Sequence, residues 1–303
     1  MGEGESQISN LDSDEPVARL LLDAPIVFDV PGRTVHSPMV DAIVGGVHTR
    51  LILDTGATAH VLTLDLAARA HLESQRADPG TDHTGATVES WSLGTVSMDA
   101  AGSTLHLQDV QAIKGPPPFA HWGVGGFLSP QSLDPDASVV IDLAGSRLLL
   151  VDGDGLALAA WLEKRFPSFH PLSIKREPGE GVRILASIEP FDPVEAMINT
   201  GTPDTEFVRT AVPGVEGISA GETGLGVSGA QVAGAHAGGQ VLRIGEWAFP
   251  LDTLFIRDES APEHPDAQIG MDLLSGSVLA ISPDIDEPVL WMVPNEHGGV
   301  AAR

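Results

Sequence analysis

An aspartate that ends an apolar run and precedes Thr-Gly is equipped for acid–base work. Residues 51–56 read LILDTG, and residues 57–62, ATAHVL, continue as a second largely apolar stretch. Asp-Thr-Gly alone is also the composition of a β-turn, with Asp opening the turn and Gly supplying positive φ. The flanks argue against a plain turn, because a carboxylate between two buried strands is costly unless it is hydrogen-bonded or has a task. Loop amides, the Thr55 hydroxyl and the close approach permitted by Gly56 are the means to hold the carboxylate of Asp54. The pattern returns at residues 196–201 as AMINTG, which places Asn199 in register with Asp54, and Thr200 and Gly201 in register with Thr55 and Gly56. An asparagine can donate and accept hydrogen bonds, but its amide is no practical acid or base at neutral pH.

The elements that must position these two loops also repeat. Phe127-Leu128-Ser129 follows the first loop and Gln268-Ile269-Gly270 the second, at similar spacing, and each precedes a closing pair of strands beginning near Ser138 and Ser277. Residues 107–113 (LQDVQAI) echo residues 251–256 (LDTLFI) between those landmarks. Residues 40–44, Gly45-Gly46 and residues 47–53 read as a β-hairpin with a glycine turn. Residues 105–113 and 139–151 are further strand candidates, the latter interrupted at Ala144-Gly145-Ser146. Residues 156–166 (LALAAWLEKRF) have helical spacing, end in Lys164 and Arg165, and are stopped by Pro167. The organisation expected is an acidic tail at 1–16, a first lobe at 17–152, a helical linker at 153–181, a second lobe at 182–295 and a tail at 296–303. A duplicated unit of this kind makes the fold all-β.

Composition narrows the chemistry. Lys+Arg 16 against Asp+Glu 42 gives a net charge of −26 in 303 residues, so phosphate backbones and anionic membranes are poor partners. The absence of cysteine excludes disulfides, thiolate metal sites and a cysteine nucleophile. The 11 histidines have no metal-ligand spacing, and no Gly-x-Gly-x-x-Gly opens a helix, so neither a metal nor a nucleotide cofactor is expected. The acidic N-terminus lacks a basic, apolar leader, and no apolar run approaches membrane-spanning length, which together point to a cytoplasmic protein. Met1-Gly2 with Ser6 fits an N-myristoylation pattern formally, but no basic segment follows to add a second membrane signal.

With these motifs in place, the sequence resembles the aspartic peptidase superfamily, and within it bacterial chains carrying two retropepsin-like lobes in tandem. The resemblance rests on residues 51–62 and 196–208 and on the segments 127–129 and 268–270. It implies a bilobal aspartic-protease fold, with two similar closed β lobes, a cleft between them, and a ψ-shaped loop beneath each catalytic position. It also implies an aspartic endopeptidase that takes a peptide or protein substrate in extended conformation. Asp54 would then be a catalytic aspartate, with Thr55, Gly56, Thr200 and Gly201 as the supporting loops. Because both lobes lie in one chain, the active unit expected is a monomer.

Asn199 stands where the family has its second aspartate, and the family chemistry needs two carboxylates sharing one proton (the aspartic-protease pair is the standard example). An introduced substitution that traps substrate, a natural loss leaving a peptide-binding pseudo-peptidase, and replacement by a neighbouring acid are the open explanations. On the first of these, Asn199→Asp would restore the pair. Among the neighbouring acids Asp192, Glu195, Asp204 and Glu206, the last two read best as solvated loop acids after Thr202-Pro203. A non-proteolytic enzyme that applies Asp54 to a small molecule is a further reading. Residues 84–91 and 224–239 are Gly-rich, as hairpins over a cleft would be, which makes Thr87, Val88, Trp91, Gly226 and Ser228 the candidate flap residues. The chain has no tyrosine, so Trp91 or Trp122 is the aromatic candidate for a cleft wall, or else a core residue.

Overall fold

A computed structural model describes residues 18–153, 155–178, 181–216, 219–220, 224–258, 264–294 and 300–301. The chain is all-β, built on a 13-stranded and an 8-stranded sheet. The expected acidic tail at 1–16 lies outside the described residues. Among those described, no helix is long and apolar enough to cross a membrane.

The hairpin expected around Gly45-Gly46 is present, joining Arg33–Val44 to Val47–Leu53. Both glycines have positive φ, +54° and +81°, as a two-residue turn compatible with strand twist demands. Val47–Leu53 runs directly into Asp54. Its end is pinned from the side by Val124–Leu128, which inserts parallel to it and antiparallel to Val61–Thr63. Val61–Thr63 in turn lies parallel to Ser103–Ile113. This is the ψ-shaped arrangement that the resemblance implies.

The second half repeats it strand for strand. Val194–Ile198 runs into Asn199, Ala267–Ile269 inserts parallel to it and antiparallel to Glu206–Val208, and the latter lies parallel to Trp247–Arg257. The register is the same in both: Leu53 faces Leu128, and Ile198 faces Ile269. The Asp54 amide donates to Leu128 O at 2.9 Å and the Asn199 amide to Ile269 O at 3.0 Å. Repeated apolar spacing has therefore produced repeated topology.

The closing strands of the two halves join. Ser138–Asp142 pairs antiparallel with Val278–Ile281, and Arg147–Asp152 and Val289–Pro294 extend this ribbon on either side. Helix Gly155–Arg165 covers one face of the ribbon, packing Leu158 and Leu162, with Phe166 just beyond it, on Val140, Leu149, Val278 and Met292. The span expected as a linker is thus also part of the packing. Within it Phe169–Ile174 forms the outermost strand of the ribbon, against Val289–Pro294. In the expected C-terminal tail, Val300–Ala301 pairs with Trp247 and Ala248.

Candidate active site

Strands that end in register bring Asp54 and Asn199 to one cavity of about 370 Å³, which both residues line. The loops are locked to each other through their threonines. The Thr55 amide donates to Thr200 Oγ1 at 3.1 Å, and the Thr200 amide donates to Thr55 Oγ1 at 3.0 Å. Each hydroxyl then donates across the junction, Thr55 to Ile198 O and Thr200 to Leu53 O, both at 2.6 Å. Both threonines are fully buried, so all four bonds replace water that cannot reach them. Glycine is required next to each. A Cβ on Gly56 would stand 2.7 Å from Asn199 Cγ, and one on Gly201 2.6 Å from Asp54 Cγ. Each loop therefore closes over the other, Gly56 against Asn199 and Gly201 against Asp54.

The two residues sit in different electrostatic surroundings. Burial pushes the Asp54 carboxyl up to about 6, although the amides of Gly56 and Ala57 donate to it and pull the other way. Asn199 Oδ1 accepts from the Gly201 amide at 2.8 Å, and its Nδ2 donates to Gln268 Oε1. Among the described residues no hydrogen bond joins Asp54 to Asn199. The Asn199 amide is turned to Gln268. Behind Gln268, Nε2 donates to Glu206 Oε1 at 2.7 Å, and Arg257 stands 3.7 Å from the same oxygen.

Glu206 corrects the sequence reading. It is not a solvated loop acid but a buried member of the short strand Glu206–Val208. Burial raises its carboxyl, partly offset by Arg257. Asp204 is exposed, as expected of a loop acid, and so is Asp192, while Glu195 is engaged by Arg183.

The Gly-rich segments meet over the cavity. Thr87–Val88 pairs with Gly80–Thr81, and Val88 lines the cavity while Thr87 points to solvent. Ser228 donates its amide to Asp82 Oδ2 at 2.9 Å, and a Cβ on Gly226 would stand 2.1 Å from that oxygen. Gly226 is thus a contact of the opposite loop, and Val227 between them lines the cavity. Trp91 lies in Ser90–Ala100, paired with Arg76 and Ala112, and is not among the residues that line the cavity. Trp122 packs with Met39, Ile52 and Phe119.

Several residues at this site carry no sequence motif. Asp82 accepts from the amide and hydroxyl of Thr84 as well as from Ser228. Burial pushes its carboxyl up, but the hydrogen bonds from Ser228 and Thr84 outweigh that and leave it below the usual range. His83 and His264 also line the cavity; burial holds both imidazoles below their ordinary value, and Arg257 adds to this. His60 ties the Asp54 loop to the segment after Leu128, with Nε2 on Ser132 O at 3.0 Å and Nδ1 accepting from Ser129. Only Asp82-His83-Thr84-Gly85 offered a cue, the Asx-type turn that it forms. Among the described residues no group of three or more His, Asp or Glu is placed to hold a metal ion.

Residues 40–118 match a family model described as aspartyl protease. The match takes in the hairpin, the Asp54 loop and the first Gly-rich segment, and stops short of Asn199. No curated protein matches the chain.

Proposed function

We propose, from the premise that the chain belongs to the aspartic peptidase superfamily, that it is an endopeptidase working with one titrating carboxyl, Asp54. The observation that carries this is the Asp54 carboxyl on the cavity wall, raised by burial to about 6, beside the loop that holds Asn199. Near neutral pH such a group exists in both forms and can take a proton and return it.

In the ionised form Asp54 accepts a proton from a water as that water's oxygen adds to the scissile carbonyl carbon. The oxyanion accepts a hydrogen bond from Asn199 Nδ2, which has one hydrogen beyond the one given to Gln268. As the carbon–nitrogen bond breaks, Asp54 hands its proton to the departing amine. The substrate lies extended beneath the Gly-rich loops, using main-chain hydrogen bonds as an added strand would. A single chain suffices, because Thr55 and Thr200 already join the two loops within it. Without a second acid the rate falls by roughly 10²–10⁴ relative to a two-carboxyl site.

A diverse peptide library incubated with the protein and with Asp54→Asn, and read by mass spectrometry, tests this. Slow cleavage is expected from the parent, rising as pH passes about 6 and then levelling, and none from Asp54→Asn. Equal cleavage by both proteins would remove Asp54 from the chemistry. A second reading, a peptide-binding pseudo-peptidase, is favoured by the commitment of the Asn199 amide to Gln268. Peptides retained intact by both proteins would decide for it.

A further inference from the structure

Beneath Asn199 the second half departs from the first at three positions that the shared topology makes equivalent. In the first half Phe127 pairs with Val61, and Ile113 lies at the end of the next strand beside Thr63. The corresponding residues of the second half are Gln268, Glu206 and Arg257. All three are buried, at 3%, 7% and 1% exposure. Long polar side chains in a place that an apolar trio fills equally well are costly to desolvate.

Their hydrogen bonds run in one direction only. The Gly201 amide can only donate, so it fixes Asn199 Oδ1 toward its own loop and turns Nδ2 toward Gln268. Gln268 must then present Oε1 to Asn199 and Nε2 to Glu206. At the far end the guanidinium of Arg257 can only donate. It faces Glu206 and also gives hydrogen bonds to His83 O at 3.0 Å and Pro265 O at 3.3 Å. With the Gly201 amide fixing Asn199, neither the Asn199–Gln268 nor the Gln268–Glu206 hydrogen bond can be reversed, and the charge of Arg257 at 3.7 Å favours Glu206 as the acceptor.

We propose that Gln268, Glu206 and Arg257 are positioning residues that select an amide at position 199 and hold its second Nδ2 hydrogen available to the cleft. The site is thereby built for one carboxyl. Asn199→Asp alone, which the sequence suggested would restore a working pair, meets a relay of the wrong polarity. An aspartate has no hydrogen for Gln268 Oε1. Gln268 must turn over and present Oε1 to Glu206, which then has to hold a proton. The inference rests on the reading of Asp54 and Asn199 as the centre of the site. Its test uses stability rather than turnover, so either can fail alone.

The test is made in the Asp54→Asn background, which removes the carboxyl that would couple directly to an aspartate at 199. The charged and titratable groups around the relay are then Arg257 and Asp204 near Glu206, and His83, His264, Asp82 and Arg183 further along. All are common to the variants compared. Asn199→Asp, Glu206→Gln and the pair together are unfolded chemically from about pH 4 to about pH 8. With Asn199→Asp the unfolding equilibrium should shift against the fold by up to tenfold per pH unit as the required proton becomes scarce. Adding Glu206→Gln supplies the missing hydrogen and should abolish that slope. In the Asn199 protein Gln268 needs only an acceptor at 206, so the same Glu206→Gln relieves only the burial of a carboxyl that Arg257 already partly offsets, and it should gain much less. A gain clearly larger in the aspartate background than in the asparagine one is the expected result. An effect of the same sign and size in both would overturn the proposal. Should the aspartate variants not fold, side-chain amide exchange in the unaltered protein decides. Protected hydrogens on Asn199 and Gln268, lost in Glu206→Ala, which removes the acceptor, support the relay, and exchange at the rate of free amides refutes it.

Discussion

Replacing Asp54 by asparagine should stabilise this protein at neutral pH and leave its stability unchanged in acid. Folding raises the carboxyl from 3.8 to about 6, so between those values the folded chain binds a proton that the unfolded chain has released. The stability associated with the protonated carboxyl is complete below the unfolded value and is lost as pH rises through the folded one. A shift of about two units at 1.36 kcal/mol each amounts to about 3 kcal/mol. Asp54 keeps some contact with cleft water, and screening brings the expectation nearer 2 kcal/mol. Asparagine avoids that loss and keeps an oxygen for the Gly56 amide, now 2.9 Å from the carboxyl. Urea midpoints measured in parallel for the two proteins give the difference directly, and other raised carboxyls such as Glu206, Asp142 and Asp272 cancel. The difference should be near zero at about pH 4, open through the next two units and level off near 2 kcal/mol above about pH 7. A difference that does not vary with pH, or an asparagine variant less stable at about pH 8, would mean that the cleft welcomes the ionised carboxylate.

Two further outcomes follow from the loops that frame this carboxyl. Thr55→Val strips partners from the buried Thr200 amide and Ile198 carbonyl and should cost roughly 2–4 kcal/mol. Because Thr200 reciprocates, Thr55→Val with Thr200→Val should cost less than the sum of the single changes, and additive urea midpoints would show that the two bonds do not act as a unit. Asp82→Ala removes the acceptor shared by the Ser228 and Thr84 amides, so both should exchange faster with solvent while the Asp54 loop does not; unchanged exchange at Ser228 would deny that Asp82 holds the two loops together.

The architecture was legible because it is written in local patterns. Gly45-Gly46 between two β-favouring runs gave the hairpin, and the recurrence of an apolar run followed by Thr-Gly placed Asp54 and Asn199 at equivalent strand ends. Glu206 was misread because its neighbourhood in the chain, Thr202-Pro203-Asp204-Thr205, is polar. Its burial comes from Gln268 and Arg257, which lie far along the sequence and meet it only through strand pairing. The same distance hid Asp82, whose partner Ser228 belongs to the other half. Trp91 was attractive as a cleft aromatic by composition, yet its place in a paired strand is set by the register with Ala112. Short-range spacing reports elements, whereas a buried polar contact between halves leaves no periodic trace.

The duplication supplies an internal comparison of how environment sets acid–base character. Val61, Ile113 and Phe127 form an apolar wall on the cavity that Asp54 lines, and its carboxyl is pushed toward neutrality. Glu206, Gln268 and Arg257 occupy the equivalent strand positions of the other half, and there they satisfy an amide that never titrates. In a pair of equal carboxylates, the inequality needed for one to give and the other to take arises from their mutual repulsion. Here the inequality is built into the walls, so a single proton has one defined owner. Backbone symmetry brings the two residues together, and side-chain asymmetry decides which of them can hold and release a proton.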